Sequence, residues 1–231
     1  MDIHRHINFF RYAEQAQALL VKSGIRFKSS GFPDLTKFEY AKTLPDTIEV
    51  WPYNKRNQAR NPRDTILAFY EADTCLYGYL NSIDKVASNL SIYYGVTGFD
   101  LSPCLDFPIE EQNAALLLNV LTNGLFLMQG IRVIPSLRIG NSETANALES
   151  YPQNICYSFG ALGCRQKYRF IGEQILALKL ALCRPSQVLA YGKLINADKE
   201  MFDHWNIPVL NVPDYQTRTR ERSRERKRPH V

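Results

Sequence analysis

Histidine is scarce in this chain. The four present, His4, His6, His204 and His230, lie towards the two ends. None falls in an H-E-x-x-H pattern, so a histidine-built metal centre would need convergence over long range. The five cysteines, Cys75, Cys104, Cys156, Cys164 and Cys183, are odd in number and fit neither a disulfide framework nor a C-x-x-C zinc spacing. Reduced thiols are the simplest expectation. No run reaches the roughly 18 uninterrupted apolar residues of a membrane span. The opening Met1-Asp2-Ile3-His4-Arg5-His6-Ile7-Asn8 has no apolar signal-peptide core, and the expected location is the cytoplasm of the producing cell. No Gly-Lys-Ser/Thr of a phosphate-binding loop and no short-period solenoid repeat occurs.

What is present is a real core and an uneven charge. With 231 residues, 45% of them hydrophobic, the chain can bury one large α/β domain with appendages. The net charge is +5. From 215 to 231 there are seven basic residues, Arg218, Arg220, Arg222, Arg224, Arg226, Lys227 and Arg228, against Glu221 and Glu225. That tail alone carries the whole net charge, and residues 1–214 are neutral overall.

Periodicity divides the rest. Residues 4–22 fit an amphipathic helix through Phe9, Ala13, Ala16 and Leu20. The pattern then weakens; 48–51 suits a short strand, and 53–63 is polar and basic. Residues 1–63 therefore read as an N-terminal extension packed on the core. From 64 to 214, six apolar runs (66–70, 96–100, 131–137, 154–159, 187–191 and 207–212) alternate with helical patterns at 75–90, 108–129, 141–149, 167–183 and 198–205. Each run is too apolar to face water, which predicts a mostly parallel sheet of about six strands with crossover helices. An open doubly wound sheet is the favoured form. Barrel-like closure, with Trp51 marking an extra strand, is the alternative. Gly124 inside the longest helix costs about 1 kcal/mol against alanine, so a close contact is expected there. The tail, 215–231, is too polar to bury and reads as a disordered Arg-rich segment, with a helix supported by Glu–Arg pairs as its other option.

Parallel strands gather their carboxyl ends on one rim, where ligands bind in open sheets and barrels alike. The residues closing those strands are Glu71 and Asp73; Asp100, Ser102 and Asp106; Arg138 and Asn141; Ser158 and Gly160; Cys164; and Tyr191 and Gly192. Asp73, Asp100, Asp106 and Arg138 are the candidate pocket. Carboxylates with one arginine suit a hydrated divalent metal, a phosphate-bearing ligand or an acid–base pair. The bland reading is equally economical: Asp106 and Asp73 start helices, and Asp100 pairs with Arg138 structurally. Cys164 lacks a neighbouring histidine, so an inert thiol outweighs a nucleophile. Gly160-Ala161-Leu162-Gly163 offers backbone N–H groups to an anion.

Phe69-Tyr70 with Asp73, Asp100-x-Ser102 with Asp106 and Pro108, Gly130-Ile131-x-Val133-Ile134-Pro135-x-x-Arg138, Gly163-Cys164 and Tyr191-Gly192 stand in an order and spacing that resemble an uncharacterised bacterial and phage family, the domain-of-unknown-function family four-four-one-seven. The resemblance spans about residues 64–212. It implies an origin in a phage or other mobile element of a bacterial host, and no activity.

Two functions follow as expectations. One is a nucleic-acid-associated accessory protein whose tail, with segment 53–63, binds phosphate backbone. The other is an α/β enzyme with a strand-end Asp/Arg pocket for a phosphate-containing or nucleotide-like substrate. No catalytic signature is complete, so the residues leave enzyme or non-enzyme open.

Overall fold

The computed structural model describes residues 8–161 and 169–225. Asn8 caps α1 (Phe9–Lys22), its side chain accepting from the Arg11 N–H. α1 lies on α4 (Ile109–Met128), where Gly124 supplies the expected close contact. A Cβ there would stand 3.0–3.3 Å from the methyls of Leu20 and Leu35. The Tyr12 hydroxyl reaches Thr122 Oγ1 at 2.8 Å across the same interface.

Among the described residues, seven parallel strands form two sheets. β1 (Glu49–Pro52), β2 (Thr65–Ala68), β3 (Gly95–Thr97) and β4 (Val133–Ile134) lie side by side in chain order. β5 (Cys156–Ala161), β6 (Gln187–Gly192) and β7 (Val209–Val212) make the second sheet. The sheets meet where Ser136 bridges Ser158 in parallel sense. There the Leu137 N–H donates to Ser158 O, and the Ser158 N–H to Pro135 O, both at 2.8 Å. β4 pairs over only two residues because Pro135 has no N–H to continue the ladder. The α/β, parallel character agrees with the sequence; the strand number and the division into two sheets do not. The strand from 48–51 joins the sheet, so residues 1–63 contribute an edge strand as well as α1.

The favoured open arrangement is replaced by a curled one. Tyr70, just beyond β2, stacks on Tyr191 of β6 with ring centroids 5.8 Å apart. Four strand spacings would separate β2 and β6 by about 19 Å in a flat sheet. Alternation sorts the side chains accordingly. Val50, Ile66, Ala68, Ile134, Cys156, Leu189, Tyr191 and Val212 form one enclosed cluster drawn from both sheets. Their neighbours Trp51, Leu67, Val133, Tyr157 and Val188 face the surrounding helices. Apolar runs alone cannot distinguish a flat layer from a curled one, since both faces are buried in each.

The helical run at 75–90 is two helices, α2 (Asp73–Leu80) and α3 (Ile83–Leu90), broken at Asn81-Ser82. The segment expected as a short helix after Asn141 is a 3₁₀ stretch, Ser142–Ser150. α5 (Arg169–Cys183) and α6 (Asn196–His204) complete the crossovers. The first eleven residues of the tail form α7 (Tyr215–Glu225). Asp214 caps it, its carboxylate accepting from the Thr217 N–H and Oγ1 at 2.9 Å each. α7 lies against the outer edge of β1. Tyr215 packs on Trp51 at 6.1 Å, the Arg218 guanidinium sits 4.9 Å from the Trp51 ring, and Arg218 is 4.0 Å from the Glu49 carboxylate. Residues 226–231 lie outside the described residues. Among the described residues, no helix is long and apolar enough to cross a membrane.

Candidate functional site

All seven carboxyl ends point to one rim. On it, the chain leaving β3 runs through Gly98-Phe99-Asp100-Leu101 and is held by two asparagines one turn apart on α4. Asn123 Oδ1 accepts from the Phe99 N–H at 2.8 Å, and its Nδ2 donates to the Tyr151 hydroxyl at 2.7 Å. Asn119 accepts from the Leu101 N–H at 2.8 Å and donates to the Leu101 carbonyl at 3.0 Å. Both amides are buried, and each is engaged through both its oxygen and its nitrogen. Replacing Asn119 by alanine strands a buried N–H and C=O of Leu101. We expect a loss of about 2–3 kcal/mol in urea unfolding, against about 1 kcal/mol for an ordinary exposed hydrogen bond.

The latch fixes Asp100 between its two anchor points. Asp100 is 3% exposed, and Arg138, 36% exposed at the side chain, grips it in bidentate fashion. Arg138 Nε donates to Oδ1 at 2.8 Å, and Nη2 donates to Oδ2. Burial alone would lower the Arg138 pKa; the Asp100 carboxylate more than offsets this and holds the guanidinium above its ordinary value. Asp73 adds to that field from the first turn of α2. Its Oδ1 also accepts from the Ser102 N–H at 3.1 Å, tying α2 to the loop after β3.

Tyr70 stands between this pair and the strand-end cleft. Its ring fits because residue 160 is glycine; a Cβ there would lie 3.0 Å from the ring. Its hydroxyl is covered and lies beside Ser136 and Ser158, whose own hydroxyls are 3.3 Å apart. Ser158 Oγ donates to the Ile134 carbonyl at 3.0 Å. The Tyr70 hydroxyl faces the two serine hydroxyls as its hydrogen-bonding neighbours, at a geometry short of a well-formed bond. Burial raises its pKa, and the nearby Asp100 charge raises it further, so it stays a neutral O–H at physiological pH.

Against the other side of the ring opens a cleft of about 800 Å³. Tyr70, Tyr191 and Tyr215 supply its aromatic wall, with Lys55, Lys193, Glu71 and Asp214 around the mouth. Glu71 is committed to structure: one oxygen accepts from the Asn54 N–H at 2.9 Å, the other from the Tyr79 hydroxyl at 2.8 Å. The Tyr191 hydroxyl accepts from the Tyr215 N–H at 3.0 Å, and burial pushes its pKa up to about 12.

Asp73, Asp100, Arg138, Ser158, Gly160 and Tyr191 thus gather on the rim. Others of the expected set have backbone roles or stand apart. Asp106 and Ser102 are exposed in the loop before α4. The Asn141 N–H donates to buried Gln112 at 2.7 Å and precedes the 3₁₀ stretch. Gly192 takes a φ of +105°, and its carbonyl accepts from Asn211 at 2.8 Å. Cys164 lies outside the described residues. Cys156 and Cys183 are buried thiols whose pKa values burial pushes up to about 12, which makes them inert. No group of three or more His, Cys, Asp or Glu among the described residues is placed to hold a metal ion. Of the tail, Arg218 packs on β1, Arg220 is exposed, and Arg222 and Arg224 belong to α7. Arg226, Lys227 and Arg228 lie outside the described residues.

Sequence reasoning missed the Asn119/Asn123 latch, although two amides four residues apart in an apolar helix were a visible signal. It placed Lys55 in the basic segment 53–63 but missed Lys193, which only the curl brings to the same cleft. No protein-family model, curated protein or solved structure matches this chain.

Proposed function

We propose that the protein is a nucleic-acid-associated factor that receives a phosphate-bearing strand across its strand-end cleft. The observation that carries this is the meeting of its two basic segments at the cleft mouth. Segment 53–63 holds Lys55, Arg56, Arg60 and Arg63 with no acidic residue. It touches the start of the Arg-rich α7 through a Tyr215–Gln58 hydrogen bond of 3.4 Å and through Lys55, 5.8 Å from the centre of the Tyr215 ring. Lys55 and Tyr215 both line the cleft. Exposed arginines suit phosphate backbone, and tyrosine faces suit unpaired bases. A role in a phage or mobile element, in the cytoplasm of its bacterial host, accompanies this reading on the strength of the family resemblance.

The test is anisotropy of a labelled single-stranded oligonucleotide titrated at several salt concentrations. Binding should weaken linearly in log–log form. Removing 226–231 should reduce the slope by about 2, since three basic residues each account for roughly 0.7 on a single strand. Lys55→Ala and Arg60→Ala should each weaken binding across all sequences. Salt-independent binding, or none, defeats the proposal. The catalytic alternative, turnover of a nucleotide-like substrate, is supported by the strand-end position of Asp100 and Arg138. Product formation from nucleotides that stops in Asp100→Asn would favour it.

A further inference from the structure

The strand-end cleft holds charge of one sign that the fold does not use. Five charged residues line it: Lys55, Glu71, Lys193, Asp198 and Asp214. The three carboxylates are committed. Glu71 accepts from the Asn54 N–H and the Tyr79 hydroxyl, and Asp214 caps α7 through Thr217. Asp198 is buried in the first turn of α6, where the helix dipole offsets its charge. Among the described residues, neither lysine meets a carboxylate. Lys55 lies over the Tyr215 ring, and Lys193 is exposed just beyond β6. Two uncommitted ammonium groups thus share one hollow of about 800 Å³ with three tyrosines. That is room for one small organic ligand, for which roughly 300–1,000 Å³ is usual. The hollow also has an exit. A second one, of about 410 Å³, runs along one face of α7 past Thr219, Arg220 and Ser223, and Tyr215 and Gln216 line both.

We propose that this cleft recognises the end of a single strand: it takes the terminal nucleotide, whose phosphomonoester lies against Lys55 and Lys193, and the strand leaves along α7 past Arg220. The inference rests on the functional reading above and adds to it which part of a nucleic acid the cleft selects. Charge decides for an end. A phosphate inside a strand is a diester with one negative charge, whereas a terminal monoester carries about −1.5 to −2 at neutral pH. Two uncommitted cations match the monoester. Lysine meets phosphate as a point charge and needs no fixed fork. The tyrosine wall offers the attached base a sequence-tolerant face. Arg220 is exposed and stands about 7.5 Å along the α7 axis from Tyr215, which places it for the next phosphate and not the first. A free mononucleotide presents the same monoester, so strand ends and mononucleotides must be compared.

The experiment measures anisotropy of one internally labelled sequence with the full chain. The strand is prepared linear with hydroxyl ends, linear with a 5′-phosphate, linear with a 3′-phosphate, and circular. Adenosine 5′-monophosphate competes in a parallel run. We expect at least one phosphorylated strand to bind roughly tenfold more tightly than the hydroxyl-ended strand, the worth of a charge-assisted hydrogen bond. The circle should bind no better than the hydroxyl-ended strand. Lys193→Ala should abolish the preference and Lys193→Arg should keep it. Lys199→Ala, in α6 but outside the cleft lining, should leave it intact. Both lysines are exposed, so these variants should keep the wild-type thermal midpoint. Equal affinity for all four strands overturns the end site. So does a preference that survives Lys193→Ala, or that Lys199→Ala removes as well, since bulk charge would then explain it. Those results with salt-sensitive strand binding intact leave the functional reading standing. A mononucleotide that binds as tightly as the phosphorylated strand also overturns the end site and marks the cleft as one for free nucleotides. If no strand binds at all, the functional reading falls with it.

Discussion

Arg138→Ala should cost about 3–5 kcal/mol of stability, among the largest losses any single substitution in this chain can produce. The reason is the asymmetry of the pair. Asp100 is 3% exposed and its backbone is pinned on both sides by the α4 asparagines. It cannot swing out to water when its partner disappears. Removing the guanidinium therefore leaves a carboxylate that must either stay charged in a poor environment or take up a proton. The double variant Asp100→Asn with Arg138→Gln removes both charges and keeps amides that can bond each other. It should recover at least half of the loss. Urea unfolding of the two single variants and the double variant gives the coupling energy directly. A loss under about 1 kcal/mol for Arg138→Ala would mean that water reaches Asp100.

Much of this rim was legible before any coordinates. Asp73, Asp100 and Arg138 are 27 and 38 residues apart in the sequence. Each follows an apolar run that alternates with a helix, and parallel pairing is the only arrangement that puts such ends together. Gly124 announced its close contact by being a poor helix former in a long apolar helix. Curvature was not legible. It depends on how Tyr70 meets Tyr191 across the strand layer and on how Pro135 shortens β4, and neither leaves a period in the sequence. Tyr70 illustrates the limit: it reads as one more apolar ring at a strand end, and only three-dimensional context shows its hydroxyl covered beside Ser136 and Ser158. The tail shows a different limit. Composition argued for disorder from 215 onward, with a helix held by Glu–Arg pairs as the other option; residues 215–225 are helical, and Asp214-x-x-Thr217 is the helix-start signal. The aromatic and cationic side chains that follow it find β1, a partner some 165 residues upstream that composition cannot anticipate.

That partnership makes residues 215–225 and 226–231 of the tail separable by truncation. Ending the chain at Glu225 should leave stability within about 0.5 kcal/mol of the full length, because Arg226, Lys227, Arg228, Pro229 and His230 bring little apolar surface to bury. Ending it at Asp214 should cost roughly 3 kcal/mol. Three contributions are lost together: the Arg218–Trp51 cation–π contact, worth about 0.5–2 kcal/mol; the Tyr215–Trp51 ring pair, worth about 0.5–1.5 kcal/mol; and the Tyr215 N–H bond to Tyr191, worth about 1 kcal/mol. Trp51, 3% exposed in the full chain, would also be uncovered, so its fluorescence maximum should move to the red before any denaturant is added. Equal stability of the two truncations would show that α7 does not seal the β1 edge. The comparison also protects the nucleic-acid test, because a deletion from 215 would confuse loss of phosphate contacts with loss of the cleft wall, while a deletion from 226 removes three basic residues and keeps Tyr215 and Gln216 in the cleft lining.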